Sequence, residues 1–275
     1  MKHILLPTDF SANSIHAIRY TMQLYENSSC SFSILYVQKE SKLIVDVLMA
    51  TSEKTNNYQS EKKRKKKELN ELVLQLKEEN KNQNFTFKVF FDTNSLTDAL
   101  KKVIISENID LIIMGSNGAT AIKEAIFGSN TLNVIREVDC PVLVIPENYN
   151  FKPIHSVLFS TEQCKDFKTD KIKPLTELLK LQKASLSILD INSNQEEKQQ
   201  HKTALATLFL EIPFDYYSIQ HLPVPVAINA AIQLLNFDVH ALFIESTSFI
   251  DRFIYGTEDD DISYGTKIPL LVLHA

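Results

Sequence analysis

The chain repeats itself, and this repeat constrains the fold more than any other feature. His155–Thr161 (HSVLFST) lies on His3–Asp9 (HILLPTD), and Ser185–Ile191 (SLSILDI) lies on Ser31–Val37 (SFSILYV). Further on, Asp238 falls on Asp110, Gly256 on Gly128 and Pro269 on Pro141. The early offset exceeds the late one, so the first copy carries about 25 extra residues, placed in the polar stretch between Val37 and Phe85. The expectation is two domains, 1–148 and 152–275, joined near Asn148–Lys152.

Within the first copy, short apolar runs alternate with segments of helical period. Strands are expected at 2–7, Ser31–Val37, Phe85–Phe90, Asp110–Met114 and Pro141–Ile145. Ser11 precedes a run with Ile15, Ile18, Met22 and Tyr25 three or four residues apart, which reads as a helix. Further helices are expected around Glu53–Lys77, over Leu96–Ile105 and over Thr131–Val138. Strand–helix alternation of this kind gives an α/β fold with a parallel, doubly wound sheet in each copy.

Chemistry concentrates at Asp110–Ser129. Glycine is scarce, five in 275 residues, yet Gly115, Gly118 and Gly128 all fall here, at a strand end and at a helix start. Gly115 and Gly118 are expected to free backbone N–H groups into a concavity. The helix after Gly128 adds unpaired N–H groups and a partial positive charge, making an anion cradle. Ligands of open parallel sheets bind beyond the carboxyl ends of the strands, so Pro7-Thr8-Asp9, Val37 and the glycine loop share one rim. Tight strand–helix turns also use glycine, and for a single glycine that reading would prevail.

The spacing Gly115-x2-Gly118-x9-Gly128-Ser129, the opening ILLPTDFS and the closing GSNTLNVIREVDCPVLVIP resemble the universal stress protein family. The resemblance implies two tandem Rossmann-like doubly wound domains, each with a five-stranded mostly parallel sheet. It further implies a nucleotide ligand, ATP with AMP or ADP as variants, accompanied by Mg²⁺. Adenine and ribose would lie near Pro7, Thr8, Asp9 and Val37. The phosphates would lie against Met114, Gly115, Asn117, Gly118, Gly128, Ser129, Asn130 and Thr131. Members of this family often pair through the last strand. The two copies are therefore expected to form a pseudo-dimer within the chain, with a homodimer through Pro141–Ile145 or Pro269–Leu273 as the alternative.

The second copy lacks this chemistry. Thr161 takes the place of Asp9, and the positions of Gly115 and Gly118 hold Phe243 and Ser246, or Glu245 and Ser248 with a small gap. Gly256-Thr257 survives, followed by Glu258-Asp259-Asp260-Asp261. Four carboxylates at a helix start suit the helix dipole and repel a triphosphate. They read as a solvated cap, with a hard-cation site as the alternative.

Other signals exclude more than they assign. A net charge of −5 gives no general attraction to nucleic acid or anionic membrane, and the basic cluster Glu61–Glu68 lacks interleaved aromatics. That cluster reads as an exposed helix face with i,i+4 pairing, or as a lid over the ligand. The histidines show no zinc spacing, and no Walker A sequence is present. Three widely spaced cysteines, no membrane-length apolar run and no signal-like N-terminus point to the cytoplasm. No general base stands beside the glycine loop, so the expectation is a stress-response sensor or adapter that binds ATP and is not an enzyme. A different small ligand or lipid, a purely structural scaffold and a weak ATPase are the rival readings.

Overall fold

The computed structural model describes residues 1–38, 52–117, 127–161, 169–191, 194–210, 212–244, 253 and 268–274. The first half runs β1 (Lys2–Thr8), α1 (Ala12–Leu24), β2 (Cys30–Val37), α2 (Ser52–Glu79), β3 (Phe85–Asp92), α3 (Leu96–Glu107), β4 (Leu111–Gly115), α4 (Ser129–Glu137) and β5 (Val142–Ile145). The second runs β6 (Ser156–Thr161), α5 (Lys173–Gln182), β7 (Ser185–Ile191), α6 (Gln195–Leu208), β8 (Phe214–Ile219), α7 (Val224–Leu235), β9 (Val239–Ile244) and β10 (Leu270–His274). Each expected strand and helix of the first half is present, with ends moved by a residue or two. These shifts are the ordinary scatter of fraying ends.

Strand order is β3-β2-β1-β4-β5-β10-β9-β6-β7-β8, so the two five-stranded sets form a single ten-stranded sheet. Pairing is parallel within each set and antiparallel only at the seam, where Leu270, Leu271 and Val272 face Val144, Leu143 and Val142. Both strands expected to offer an edge to another chain are thus paired with each other. A homodimer through Pro141–Ile145 or Pro269–Leu273 would need hydrogen bonds already made inside the chain. The seam is reinforced on both faces. Lys2 pairs with Glu177 at 2.5 Å, and His274 Nε2 donates to the Ile135 carbonyl at 2.8 Å.

Side chains alternate between the faces, as strand geometry requires. Ile4, Leu6, Phe32 and Ile34 pack under α1 and α2 in an apolar cluster that continues across the seam to Phe159, Ile188 and α5. Leu5, Leu35, Ile112 and Val144 pack under α3 and α4 in a second cluster that reaches α7. Helix starts carry the expected caps: Ser11 accepts from the Ser14 N–H, and Ser95 from the Asp98 N–H. Asn108, Lys183 and Asn236 close α3, α5 and α7 in the left-handed region.

Strand register corrects one alignment. The Asp110 N–H donates to the His3 carbonyl, and the Asp238 N–H donates to that of Ser156. Ser156 therefore occupies the place of His3, one residue later than the matched histidines imply. Thr161 is the counterpart of Thr8, and Asp9 corresponds to Glu162, which lies outside the described residues. The extra length of the first half is also located: α2 has 28 residues where α6 has 14.

Candidate functional site

The carboxyl ends of β1, β2 and β4 meet the starts of α1, α3 and α4 around one cleft of about 220 Å³. Pro7, Thr8, Asp9, Val37, Met114, Gly115, Asn117, Asn130 and Thr131 line it, together with Ser14, Ser95, Leu96, Thr97 and Asn133. The turn after β1 is fixed by its own side chains. Thr8 Oγ1 lies 3.0 Å from Ser14 Oγ and accepts from the Phe10 N–H, with Phe10 in the left-handed region at φ 62°. Asp9 Oδ1 accepts from the Ser11 N–H at 2.9 Å, which sets the carboxylate at the first turn of α1. Behind the turn, the Lys65 ammonium sits 4.8 Å from the Phe10 ring centre and 5.9 Å from that of Tyr36, tying α2 to the rim.

The end of β4 differs from expectation in how its glycine is used. A Cβ on Gly115 would stand 2.8 Å from Asn13 Nδ2 and 3.1 Å from the Asn13 carbonyl. Gly115 is there for clearance from α1 rather than to turn an N–H outward. The Ser116 N–H is likewise spent on the Ile145 carbonyl, and the Gly128 N–H donates to the Ser116 carbonyl at 2.8 Å. Thr131 Oγ1 also reaches the carbonyls of Gly115 and Ser116, at 3.1 and 3.0 Å. Asn13 Nδ2 donates to the Asn117 carbonyl at 2.7 Å. Three successive carbonyls leaving β4 are therefore held back by donors from α1 and the start of α4.

Gly128 and Ser129 are not among the residues that line the cleft. Gly128 is the N-cap of α4 and has no side chain to cap it, so the first-turn N–H groups remain open to an anion. Gly118 lies outside the described residues. Ser95, Leu96 and Thr97 were not anticipated. The Ser95-x-x-Asp98 capping pattern was legible and marked a helix start, and the starts of α1, α3 and α4 all contribute to the cleft. Ser14 and Asn133 carry no comparable signal. Asp9 is the one charged side chain among the described lining residues.

A family model described as the universal stress protein family matches residues 1–146. The chain belongs to this family. It is 29% identical over 152 residues to universal stress protein MJ0577 of Methanocaldococcus jannaschii, across 52% of this chain and 94% of that one. A solved universal stress protein from Archaeoglobus fulgidus is similar over 98% of this chain and 95% of its own, with a TM-score of 0.70 at 18% identity. A putative universal stress protein from Pseudomonas aeruginosa matches over 100% of this chain and 93% of its own, with a TM-score of 0.58 at 16% identity. The last two likenesses are of fold, and they extend over both halves.

In the second half of this universal stress protein the same positions are filled differently. Strand register places Ser160 where Pro7 stands, Ile191 at Val37, His240 at Ile112 and Phe243 at Gly115. Phe243 is buried and removes the clearance that lets α1 approach β4. His240 is fully buried, lies 2.7 Å from Ser160 Oγ, and has Phe253 packed 5.8 Å from its ring centre. Burial pulls its pKa down to about 3, so the imidazole is neutral. Asp190, at the position of Tyr36, accepts from His201 Nδ1 at 3.0 Å and from the Tyr216 hydroxyl. A buried polar cluster thus replaces the Lys65 stack of the first half. Gly256 and the acidic run Glu258–Asp261 lie outside the described residues.

Among the described residues no group of three or more His, Cys, Asp or Glu could hold a metal ion, and no helix is long and apolar enough to cross a membrane.

Proposed function

We propose that the first half binds a nucleotide, ATP or its lower phosphates, and that the protein acts as a stress-response sensor or adapter rather than as a catalyst. One observation carries this reading: one cleft brings apolar side chains together with the first turn of α4, whose start has no side-chain cap. Val37, Leu96 and Met114 offer a flat apolar slot for a base, and Asp9 offers an acceptor for ribose hydroxyls. Asn117, Asn130 and the uncapped start of α4 offer amides to phosphate. With no basic side chain among the described lining residues, phosphate charge falls to the α4 N–H groups and to Mg²⁺ arriving with the nucleotide. The second half, with Phe243 in place of Gly115, serves as a structural partner and leaves one site per chain. Binding alters the rim that a protein partner would read.

Isothermal titration with ATP·Mg²⁺ tests the reading. One site per chain is expected, abolished by Val37→Trp, which fills the slot. Two sites would refute the silent second half, and the absence of heat together with no thermal shift would refute nucleotide binding.

A further inference from the structure

Asn13 is buried in the first turn of α1, does not line the cleft, and is the residue for which Gly115 makes room. Among the described residues its Nδ2 donates to the Asn117 carbonyl, while its Oδ1 is buried with no hydrogen-bond partner. Asn117 Oδ1 is in the same condition. The buried, unpaired Asn13 Oδ1 is a cost that an apolar side chain at position 13 would avoid. A residue serving only to pack α1 on β4 would not be asparagine.

What Nδ2 achieves is orientation. In a trans peptide the carbonyl and the following N–H point in opposite directions. The Ser116 carbonyl is held back by the Gly128 N–H and Thr131 Oγ1, and the Asn117 N–H makes no hydrogen bond among the described residues. Among the described residues, Asn13 is what holds the Asn117 carbonyl back. Asn13 therefore completes a series of restraints that fixes the chain leaving β4 at the anion-binding end of the cleft.

We propose that Asn13 is a positioning residue for the phosphate end of the ligand, acting through Asn117. The proposal rests on the nucleotide reading above. It requires that Asn13 distinguish ligands by their phosphates and leave the nucleoside end untouched, since Thr8, Asp9 and Val37 are held by other bonds.

The test is a titration of the full chain with ATP·Mg²⁺ and, separately, with adenosine, for the wild type, N13A, N13D and N13A/G115A. N13A is expected to weaken ATP about tenfold and adenosine less than twofold. N13D, the same size but presenting an acceptor to the Asn117 carbonyl, should weaken ATP at least as much. In N13A/G115A the added methyl enters the space the amide vacated, so the urea midpoint should recover relative to G115A while ATP binding stays weak. That pattern separates positioning from packing. Equal losses for ATP and adenosine, unchanged ATP binding in N13A, or recovery of ATP binding in the double variant would each overturn the assignment. A wild type that binds neither ligand would instead refute the nucleotide reading, and the proposal with it.

Discussion

The buried His240–Ser160 pair should make the protein acid-sensitive in a window that one double substitution removes. The imidazole has an ordinary pKa of 6.5 and is held at about 3 in the folded chain by burial. Below pH 6.5 the unfolded chain takes up a proton that the native imidazole refuses. Its contribution is therefore fully present above 6.5 and is lost as pH falls towards 3. The loss is about 1.4 kcal/mol per pH unit in that window, or roughly 3 kcal/mol between pH 6.5 and 4. That is a substantial share of the ~5–15 kcal/mol that holds a typical domain together. Replacing His240 alone would orphan Ser160. The informative variant is S160A/H240I, which removes both partners and restores at position 240 the isoleucine found at Ile112. The chain has no tryptophan, so urea unfolding is followed by far-UV circular dichroism from pH 7.5 to 4.5. Carboxylates and other histidines titrate alike in both proteins and cancel in the difference. The wild type should lose stability relative to the variant steadily below pH 6.5. A flat difference, or a His240 resonance titrating near 6.5 by NMR, would refute the argument.

Further outcomes follow from other parts of the fold. Gly115→Ala should cost about 1–3 kcal/mol in urea unfolding, because the new methyl would stand 2.8 Å from Asn13 Nδ2, an amide tied in place by its bond to the Asn117 carbonyl; wild-type stability would contradict this. Cys30 and Cys140 are buried, with burial pushing their thiols up to about 11 and about 12. In the native protein at pH 8, a chromogenic disulfide should therefore label at most one thiol per chain, and all three after unfolding. Asp238 stands just before β9, against the start of β6. Burial works to raise its pKa, but hydrogen bonds from Lys152 and from the His155 and Ser156 N–H groups outweigh it and hold the carboxyl below its usual range. Its stabilisation is thus present above about pH 4 and lost as pH falls further. Asp238→Ala should lower stability by about 2 kcal/mol at pH 7, and by progressively less at pH 3.

The order of strands and helices was legible because most β-strands of the first half are short apolar runs, β1, β4 and β5 closed by Asp, Gly or Pro, while β3 alternates polar and apolar residues. Register was less so. His3 and His155 match by identity, yet the backbone pairs His3 with Ser156, because a strand is placed by its hydrogen bonds and by which face its apolar residues take. Fusion of the two sheets was invisible in either half: Val142–Ile145 and Leu270–His274 read as buried strands whether their neighbours belong to the same chain or to another. The rim residues Pro7 to Asp9 and Val37 could be found from topology alone. The use of Gly115 and Gly128 could not, since a glycine that makes room for Asn13 and one that exposes an N–H look the same in one dimension.

The antiparallel seam has a directional consequence. The strands of the first half all run one way across the sheet and those of the second all run the other, so their carboxyl ends emerge on opposite margins. At about 4.8 Å per strand the sheet is some 40 Å wide. A protein that grips the rim around Asp9 and Asn117 therefore meets, alongside it, the amino ends of the second half at His155 and Asp238. The loops at the carboxyl ends of that half's strands lie on the other margin. The molecule has two unlike margins, joined across the sheet by the seam strands and the helices laid on them.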